Sequence, residues 1–86
     1  MIIAFVFVKA EPRSTATLGQ LIADIPGVRE CYSTMGEWDL TALLWVENHD
    51  EIARIVPEHI SMLPGVLATN TVIAYRAYST QDQNLV

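Results

Sequence analysis

The sequence predicts an α+β domain with the element order β-α-β-β-α-β, a four-stranded antiparallel sheet and two helices on one face of that sheet. Two tetrapeptides, Ile25-Pro26-Gly27-Val28 and Leu63-Pro64-Gly65-Val66, each end a helical pattern and precede an apolar, strand-like stretch. Between them, two strand-like stretches flank the dipeptide Gly36-Glu37. One unit used twice around a central hairpin is the ferredoxin-like arrangement.

The first unit starts with a strand and continues with a helix. Ile2–Lys9 is rich in β-branched and aromatic residues, and Pro12 ends this strand. Ser14 or Thr15 is expected to cap the helix, and Gly19 is expected to let it approach the sheet closely. The apolar stripe of the helix recurs at helical spacing and ends at the first Pro-Gly: Leu18, Leu21, Ile22 and Ile25.

A hairpin and a second helix lead to the last strand. Val28–Met35 and Trp38–Val46 are predicted as strands joined by a two-residue type II′ turn at Gly36-Glu37. Asn48 and Glu51 have the spacing of a capping box, and Pro57 predicts a kink or restart in the helix that follows. The remaining boundaries are a last strand at Val66–Tyr78, a domain over residues 1–78 and a polar C-terminal tail over residues 79–86.

Both faces of the predicted sheet are apolar. In the third strand one face carries Leu40, Ala42 and Leu44, and the opposite face carries Leu43 and Trp45 beside Asp39. The first strand repeats the pattern, because its odd positions, Ile3, Phe5 and Phe7, are as apolar as its even ones. Since two helices cover only one face, the sequence predicts a homo-oligomer that buries the other.

Composition excludes several classes of protein. The 86 residues are 51% hydrophobic and 17% charged, which is typical of one folded domain. A net charge of −5 has the wrong sign for direct nucleic-acid binding. The apolar run at residues 2–8 is too short for a membrane span or a signal peptide, and the single cysteine, Cys31, forms no metal-ligand cluster. We expect a reduced, cytoplasmic protein without metal or cofactor.

Several short motifs occur in an informative order along this pattern. They are Gly27-Val28, Glu30-Cys31-Tyr32, Gly36-Glu37-Trp38-Asp39, Leu63-Pro64-Gly65-Val66, and the pair Thr69 and Thr71. Together they resemble the effector-binding (ligand-binding) domain of the Lrp/AsnC transcriptional regulators over nearly the whole chain. Because the chain begins at the first strand, the resemblance implies a stand-alone form that lacks the helix-turn-helix domain.

The resemblance also implies a function. It implies a dimer through facing sheets, further assembly into an octamer or decamer, an amino-acid-like effector bound between subunits, and a full-length Lrp/AsnC-type regulator as a possible partner. The residues that match the family's binding positions are Tyr32, Gly36, Asp39, Thr69 and Thr71. The chemistry is compatible, since a ligand ammonium needs a carboxylate and a ligand carboxylate needs hydroxyl or backbone donors. Trp38 and Pro57 depart from the family pattern.

Two alternatives stay open at this point. Asp39 is also suited to capping the hairpin, with Thr69 and Thr71 as ordinary strand residues. A small dimeric α/β-barrel enzyme, such as a cofactor-free monooxygenase or isomerase, would use the same topology. His49 and His59 are the candidate bases for such an enzyme, but both lie in or beside the second helix, far in sequence from Asp39. No catalytic residue is therefore assigned.

Overall fold

The computed structural model describes residues 1–80 and confirms the ferredoxin-like fold. The four strands form one antiparallel sheet in the order β2-β3-β1-β4. The elements are β1 (Ile2–Ala10), a 3-10 turn (Pro12–Ser14), α1 (Thr15–Ala23), β2 (Val28–Ser33), β3 (Leu40–Val46), α2 (His49–Arg54), a π-helical turn (Ile55–Ile60) and β4 (Val66–Ile73). No helix in residues 1–80 has the length and apolar character needed to cross a membrane.

The hydrophobic core lies between one face of the sheet and the two helices. Alternate residues of β1 and β3 are buried there because a strand turns every second side chain to the same face. They pack with buried residues of the helical segments, and residues 1–80 contain no buried polar residue. The largest fully buried side chains are Val6, Val8, Leu18, Ile22, Leu40, Leu44, Ile55 and Ile60.

The two Pro-Gly motifs form equivalent turns. In each, the residue after the glycine donates its N–H to the carbonyl three positions earlier, at 3.0 and 3.2 Å. Gly27 and Gly65 have φ values of 101° and 97°, a backbone region that favours glycine. Their carbonyls accept hydrogen bonds from the N–H groups of Trp45 and Glu11, at 3.0 and 2.9 Å. The sequence repeat is thus a structural repeat that ties each turn to the end of a strand.

The first helix differs from its prediction at both Ser14 and Gly19. Ser14 precedes α1, but its side chain forms no capping hydrogen bond. Its Oγ instead lies beside Gly65, where an added Cβ would be only 2.6 Å from it. A Cβ on Gly19 would lie 3.6 Å from Leu40, an ordinary contact, so close approach to the sheet does not require this glycine.

The second helix confirms both of its predicted features. The Asn48 side chain accepts a 3.1 Å hydrogen bond from the Glu51 N–H, and the Glu51 carboxylate accepts one from the Asn48 N–H at 3.1 Å. The α-helix ends at Arg54 and continues as a π-helical turn that contains Pro57. Proline has no N–H to donate, so the regular ladder is broken there.

Three predicted strand limits were wrong, namely the end of β2, the start of β3 and the end of β4. β2 ends at Ser33 and β3 begins at Leu40, and a 3.0 Å bond from the Thr34 N–H to the Asp39 carbonyl encloses four residues rather than a two-residue turn. The Thr34 hydroxyl also donates to the Trp38 carbonyl at 2.9 Å, which stabilises the wider loop. β4 ends at Ile73 rather than Tyr78. The Ala74 N–H still donates to the Ile3 carbonyl, but β1 begins at Ile2, so no strand lies opposite the chain beyond Tyr75. Residues 81–86 of the predicted tail lie outside the described residues.

Candidate functional site

The tip of the β2–β3 hairpin is fastened to the end of β1. The Asp39 N–H donates to the Val8 carbonyl at 2.9 Å, and the Ala10 N–H donates to Asp39 Oδ2 at 2.8 Å. The Lys9 ammonium donates to the Glu37 carbonyl. Since this tip contains the predicted binding residues Gly36 and Asp39, these contacts fix where they are presented.

Aromatic packing adds to this attachment. The rings of Phe7 and Trp38 have centroids 6.2 Å apart and are tilted by 38°, within the range of favourable aromatic pairs. Trp38 is one of the residues that depart from the pattern of the resembling family. It packs against β1 and thereby helps to hold the hairpin tip.

Asp39 has a structural role and also an unused oxygen. Its Oδ2 takes the place of a main-chain acceptor for Ala10, which agrees with the capping alternative. Within residues 1–80 the structure shows no hydrogen bond to Oδ1. An ionised carboxylate can accept several hydrogen bonds. Capping Ala10 and binding a cation are therefore compatible roles for this side chain.

Gly36 and Tyr32 lie on exposed parts of the hairpin. Gly36 has a φ of 128°, and a Cβ added there would meet no atom within 4 Å. Tyr32 pairs with Thr41 across β2 and β3, which places it on the face of the sheet that carries no helix. A hydrogen bond with the Glu30 side chain, together with desolvation and the charge of Glu30, raises the pKa of the Tyr32 hydroxyl, whereas Arg29 opposes the shift.

The two threonines lie elsewhere in the sheet. Thr69 pairs with Val8 and Thr71 pairs with Val6, and both valines are fully buried beneath the helices. Directly paired residues share a face, so both threonines lie on the helix side of β4. Tyr32 belongs to the opposite edge and the opposite face. One chain therefore does not bring Tyr32 together with Thr69 and Thr71.

The helix-free face of the sheet, hereafter the open face, is apolar and partly exposed. Phe5 and Val72, which pair across β1 and β4, are 38% and 48% exposed. At one end of this face lies a cleft of about 270 Å³, bounded by the sheet and the segment that follows β4. Its lining residues are Ile3, Phe5, Leu43, Trp45, Ala74, Arg76 and Ala77.

A β-bulge places a cation on the open face beside this cleft. The register of β2 against β3 shifts between Val28 and Glu30, so Arg29 is the extra residue. Its guanidinium carbon lies 3.7 Å from the centroid of the Trp45 ring, a cation–π contact. The Trp45 Nε1 is buried and has no hydrogen-bond partner in the described part of the chain. The sequence pattern placed Trp45 on the second apolar face of the sheet but did not predict this cluster, since alternation does not reveal a bulge.

The other candidate groups are two histidines and the single cysteine. His49 opens α2 and His59 lies in the π-helical turn, both exposed. Residues 1–80 contain no group of three potential metal ligands. Cys31 is half-buried against the core, and this burial raises the pKa of its thiol. It behaves as a small apolar residue of β2.

Comparison with protein families identifies this arrangement. The family described as the Lrp/AsnC ligand binding domain matches residues 3–83. An uncharacterised HTH-type transcriptional regulator of Pyrococcus horikoshii is 36% identical over 75 residues, which are 84% of this chain and 50% of that protein. The chain thus spans about half the length of the curated relatives it matches.

Solved structures of other proteins share this fold. A crystal structure from Thermus thermophilus superposes with a TM-score of 0.87 at 39% identity, covering 92% of this chain and 99% of that one. A feast or famine regulatory protein of M. tuberculosis, complexed with L-methionine, shares the fold with a TM-score of 0.76 at 23% identity, covering 95% of this chain and 56% of that one.

Proposed function

Since the chain belongs to the Lrp/AsnC ligand-binding domain family, we propose that it is a non-catalytic module of transcription regulation that binds an amino-acid-like effector and self-assembles. Its relatives are transcriptional regulators, and the M. tuberculosis neighbour holds an amino acid. The partner in this proposal is a full-length regulator of the same family. A cytoplasmic location is part of the same proposal.

The observation that carries the binding proposal is that only one oxygen of the Asp39 carboxylate, Oδ2, accepts a hydrogen bond within residues 1–80. Oδ2 is held by the Ala10 N–H, which fixes the orientation of the group, while Oδ1 is available to the ammonium of an amino acid. Gly36 leaves space beside the loop backbone, since within residues 1–80 no atom beyond its two chain neighbours lies within 4 Å of the position its Cβ would occupy. A ligand can thus approach this tip without displacing packed side chains.

The rest of the proposed site comes from more than one copy. Thr69 and Thr71 lie on the helix side of β4, and Tyr32 lies on the open face at the other edge of the sheet. We assign their hydroxyls to the ligand carboxylate across a subunit boundary, which is consistent with their separation in one chain. A dimer through the open face, and an octamer or decamer built from such dimers, would provide that boundary.

The apolar layer between the helices and the sheet favours this function over a small α/β-barrel enzyme. Such an enzyme needs polar groups that converge in the cavity of this layer. In residues 1–80 every buried residue of the layer is apolar, including the fully buried Leu40, Ala42 and Leu44 of β3. The layer is filled by side-chain packing and supplies no acid or base.

The test is a thermal-shift screen of the twenty amino acids followed by calorimetry of each ligand found. A ligand that binds only the folded state raises its melting temperature by mass action. Asp39→Asn keeps an acceptor for the Ala10 N–H but removes the charge, so it should weaken binding roughly tenfold to a hundredfold. Equal affinity in both proteins would remove Asp39 from the site.

Asp24→Asn is the matched control. Asp24 is an exposed acid at the end of α1 that accepts a 3.0 Å hydrogen bond from Gln20. The Asp24→Asn variant loses the same charge as Asp39→Asn, but on the helix side of the molecule, and it should leave ligand affinity unchanged. Similar losses in both variants would mean that net charge, rather than the hairpin tip, governs binding.

A further inference from the structure

We propose that Lys9 is a specificity-determining residue of the effector site at the hairpin tip and that it selects amino acids with a carboxylate in the side chain. This inference rests on the proposed function, because it requires Asp39 to hold the ligand ammonium. Lys9 is exposed and is the last residue but one of β1. Its ammonium donates to the Glu37 carbonyl and therefore lies at the hairpin tip.

Consecutive residues of β1 bring a cation and an anion to the same loop. The Glu37 carbonyl holds the Lys9 ammonium, and the Ala10 N–H holds Asp39 Oδ2 at 2.8 Å. Glu37 precedes Asp39 by two positions, so their Cα atoms lie at most about 7 Å apart. The two charged groups are thus presented within one short loop, which is the scale of a single amino acid.

These two charges do not neutralise each other. In residues 1–80 Lys9 forms no ion pair, either with Asp39 or with the side chain of Glu37. Its partner is a neutral carbonyl, although an ammonium has three N–H donors. Asp39 Oδ1 likewise accepts no hydrogen bond in this part of the chain. The hairpin tip therefore keeps donors for an anion as well as an acceptor for a cation.

The position of Lys9 distinguishes it from the other cations of the chain. There are five Lys and Arg residues, and the net charge is −5. The other four lie in the turn before α1, in the bulge of β2, at the end of α2 and after β4: Arg13, Arg29, Arg54 and Arg76. The net charge and the nearby Glu37 carboxylate repel an anionic ligand, so an acidic side chain needs a local cation to bind at the tip.

The second carboxylate of an acidic amino acid is the group that matches Lys9. In the proposed function, Asp39 takes the ligand ammonium and hydroxyl groups across a subunit boundary take the α-carboxylate. Those hydroxyls are neutral donors, and they hold a carboxylate without a cation. A neutral ligand side chain leaves the two free donors of Lys9 to water, whereas an acidic one gives them a charge-assisted acceptor. Aspartate and glutamate are therefore the favoured class of effector.

Calorimetry with two pairs of ligands of equal size tests this inference: L-glutamate with L-glutamine, and L-aspartate with L-asparagine. At least one acid should bind roughly tenfold or more tightly than its amide. Lys9→Gln should make the two affinities nearly equal by weakening the acid alone, and Lys9→Arg, which keeps the charge, should retain the preference. Arg13→Gln is the control, because it removes the same charge from the exposed turn before α1 and should leave the preference unchanged.

The outcomes separate this inference from the proposed function. Asp39→Asn should weaken acid and amide by the same factor, because both ligands carry the ammonium. If amino acids bind but neither acid is preferred over its amide, the selection by Lys9 is overturned and the proposed function stands. If Lys9→Gln weakens acid and amide equally, Lys9 acts on the hairpin tip or on the α-carboxylate, and the inference is overturned. Binding of no amino acid would overturn both.

Discussion

The carboxylate of Asp39 accepts a 2.8 Å hydrogen bond from the main-chain N–H of Ala10, 29 positions earlier in the sequence. The bond lies where β1 ends and β3 begins, so a side chain extends the ladder between the two strands. The residue proposed to bind an effector ammonium is therefore also a fastening point of the fold. Any substitution at position 39 changes both roles unless it keeps an acceptor in place.

The first prediction separates these roles by stability. Asp39→Ala leaves the Ala10 N–H without its acceptor and should lower the free energy of unfolding by about 1–3 kcal/mol. Asp39→Asn retains an amide oxygen for this bond and should cost less than about 1 kcal/mol. Urea denaturation of the three proteins measures both values. Equal destabilisation by Ala and Asn would show that the charge, not the acceptor, holds the hairpin tip.

The second prediction ranks four glycines by substitution to alanine. Gly65→Ala should be the most damaging at about 1 kcal/mol or more, because its φ of 97° is unfavourable for alanine and its Cβ would meet the Ser14 side chain at 2.6 Å. Gly27→Ala meets the end of the Ile55 side chain at the same distance. Gly36→Ala has the positive φ without a contact, so it isolates the backbone effect and should cost less.

Gly19→Ala is the opposite case within this series. It lies in α1 with room for a Cβ and should stabilise the protein by about 0.5–1 kcal/mol. Thermal and urea unfolding of the four variants give the order. A destabilised Gly19→Ala would mean that the 3.6 Å contact with Leu40 is less tolerant than its distance indicates.

The third prediction concerns the thiol of Cys31. Burial raises its pKa, so less thiolate is present at a given pH and alkylation by iodoacetamide should be slow in the folded protein. A raised folded pKa also means that this group's contribution to stability is present at low pH and is lost as pH rises through the thiol range. The measurement is the rate of alkylation across the pH range in which thiols titrate, for the folded protein and for the urea-unfolded protein. Equal rates in the two states would contradict it.

The fourth prediction addresses self-assembly through the open face. Because this face is apolar and no helix of residues 1–80 covers it, the protein should show no stable 9.6 kDa species by light scattering at micromolar concentration. Leu43→Glu places a charge on the open face and should shift the protein towards monomer. Leu21→Glu, on the exposed side of α1, is the control and should leave the oligomer intact. An unchanged oligomer in Leu43→Glu would place the interface elsewhere.

The fifth prediction is that this chain by itself has no measurable affinity for duplex DNA at physiological salt. Binding to DNA depends on Lys and Arg side chains that neutralise phosphates, and this chain carries ten acidic residues against five basic ones. A mobility-shift assay over a range of salt concentrations tests it. A complex that weakens steeply as salt increases would contradict the prediction, whereas a shift seen only with an added regulator would support the partner proposal.

The element order was predictable because its signals are local. A Pro-Gly pair that ends a helical stripe, such as Pro26-Gly27, depends on residues within one turn. The alternation of buried and less buried residues from Leu40 to Val46 depends on residues within one strand. The capping box of Asn48 and Glu51 and the break at Pro57 are equally local and were confirmed. The predictions of the hairpin turn and of the end of β4 were wrong because both features depend on where the partner strand begins or ends.

Sequence alone therefore determined the α+β order, the apolar character of both sheet faces and the chemical types available at Tyr32, Gly36 and Asp39. Only the tertiary structure decided how those groups are arranged, because hydrogen bonding and strand register join residues far apart in sequence. Register placed Thr69 and Thr71 on the helix side of β4, and a bulge placed Arg29 over Trp45. The Asp39 carboxylate met the Ala10 N–H for the same reason: chain folding, not sequence proximity, brings the end of β1 to the hairpin tip.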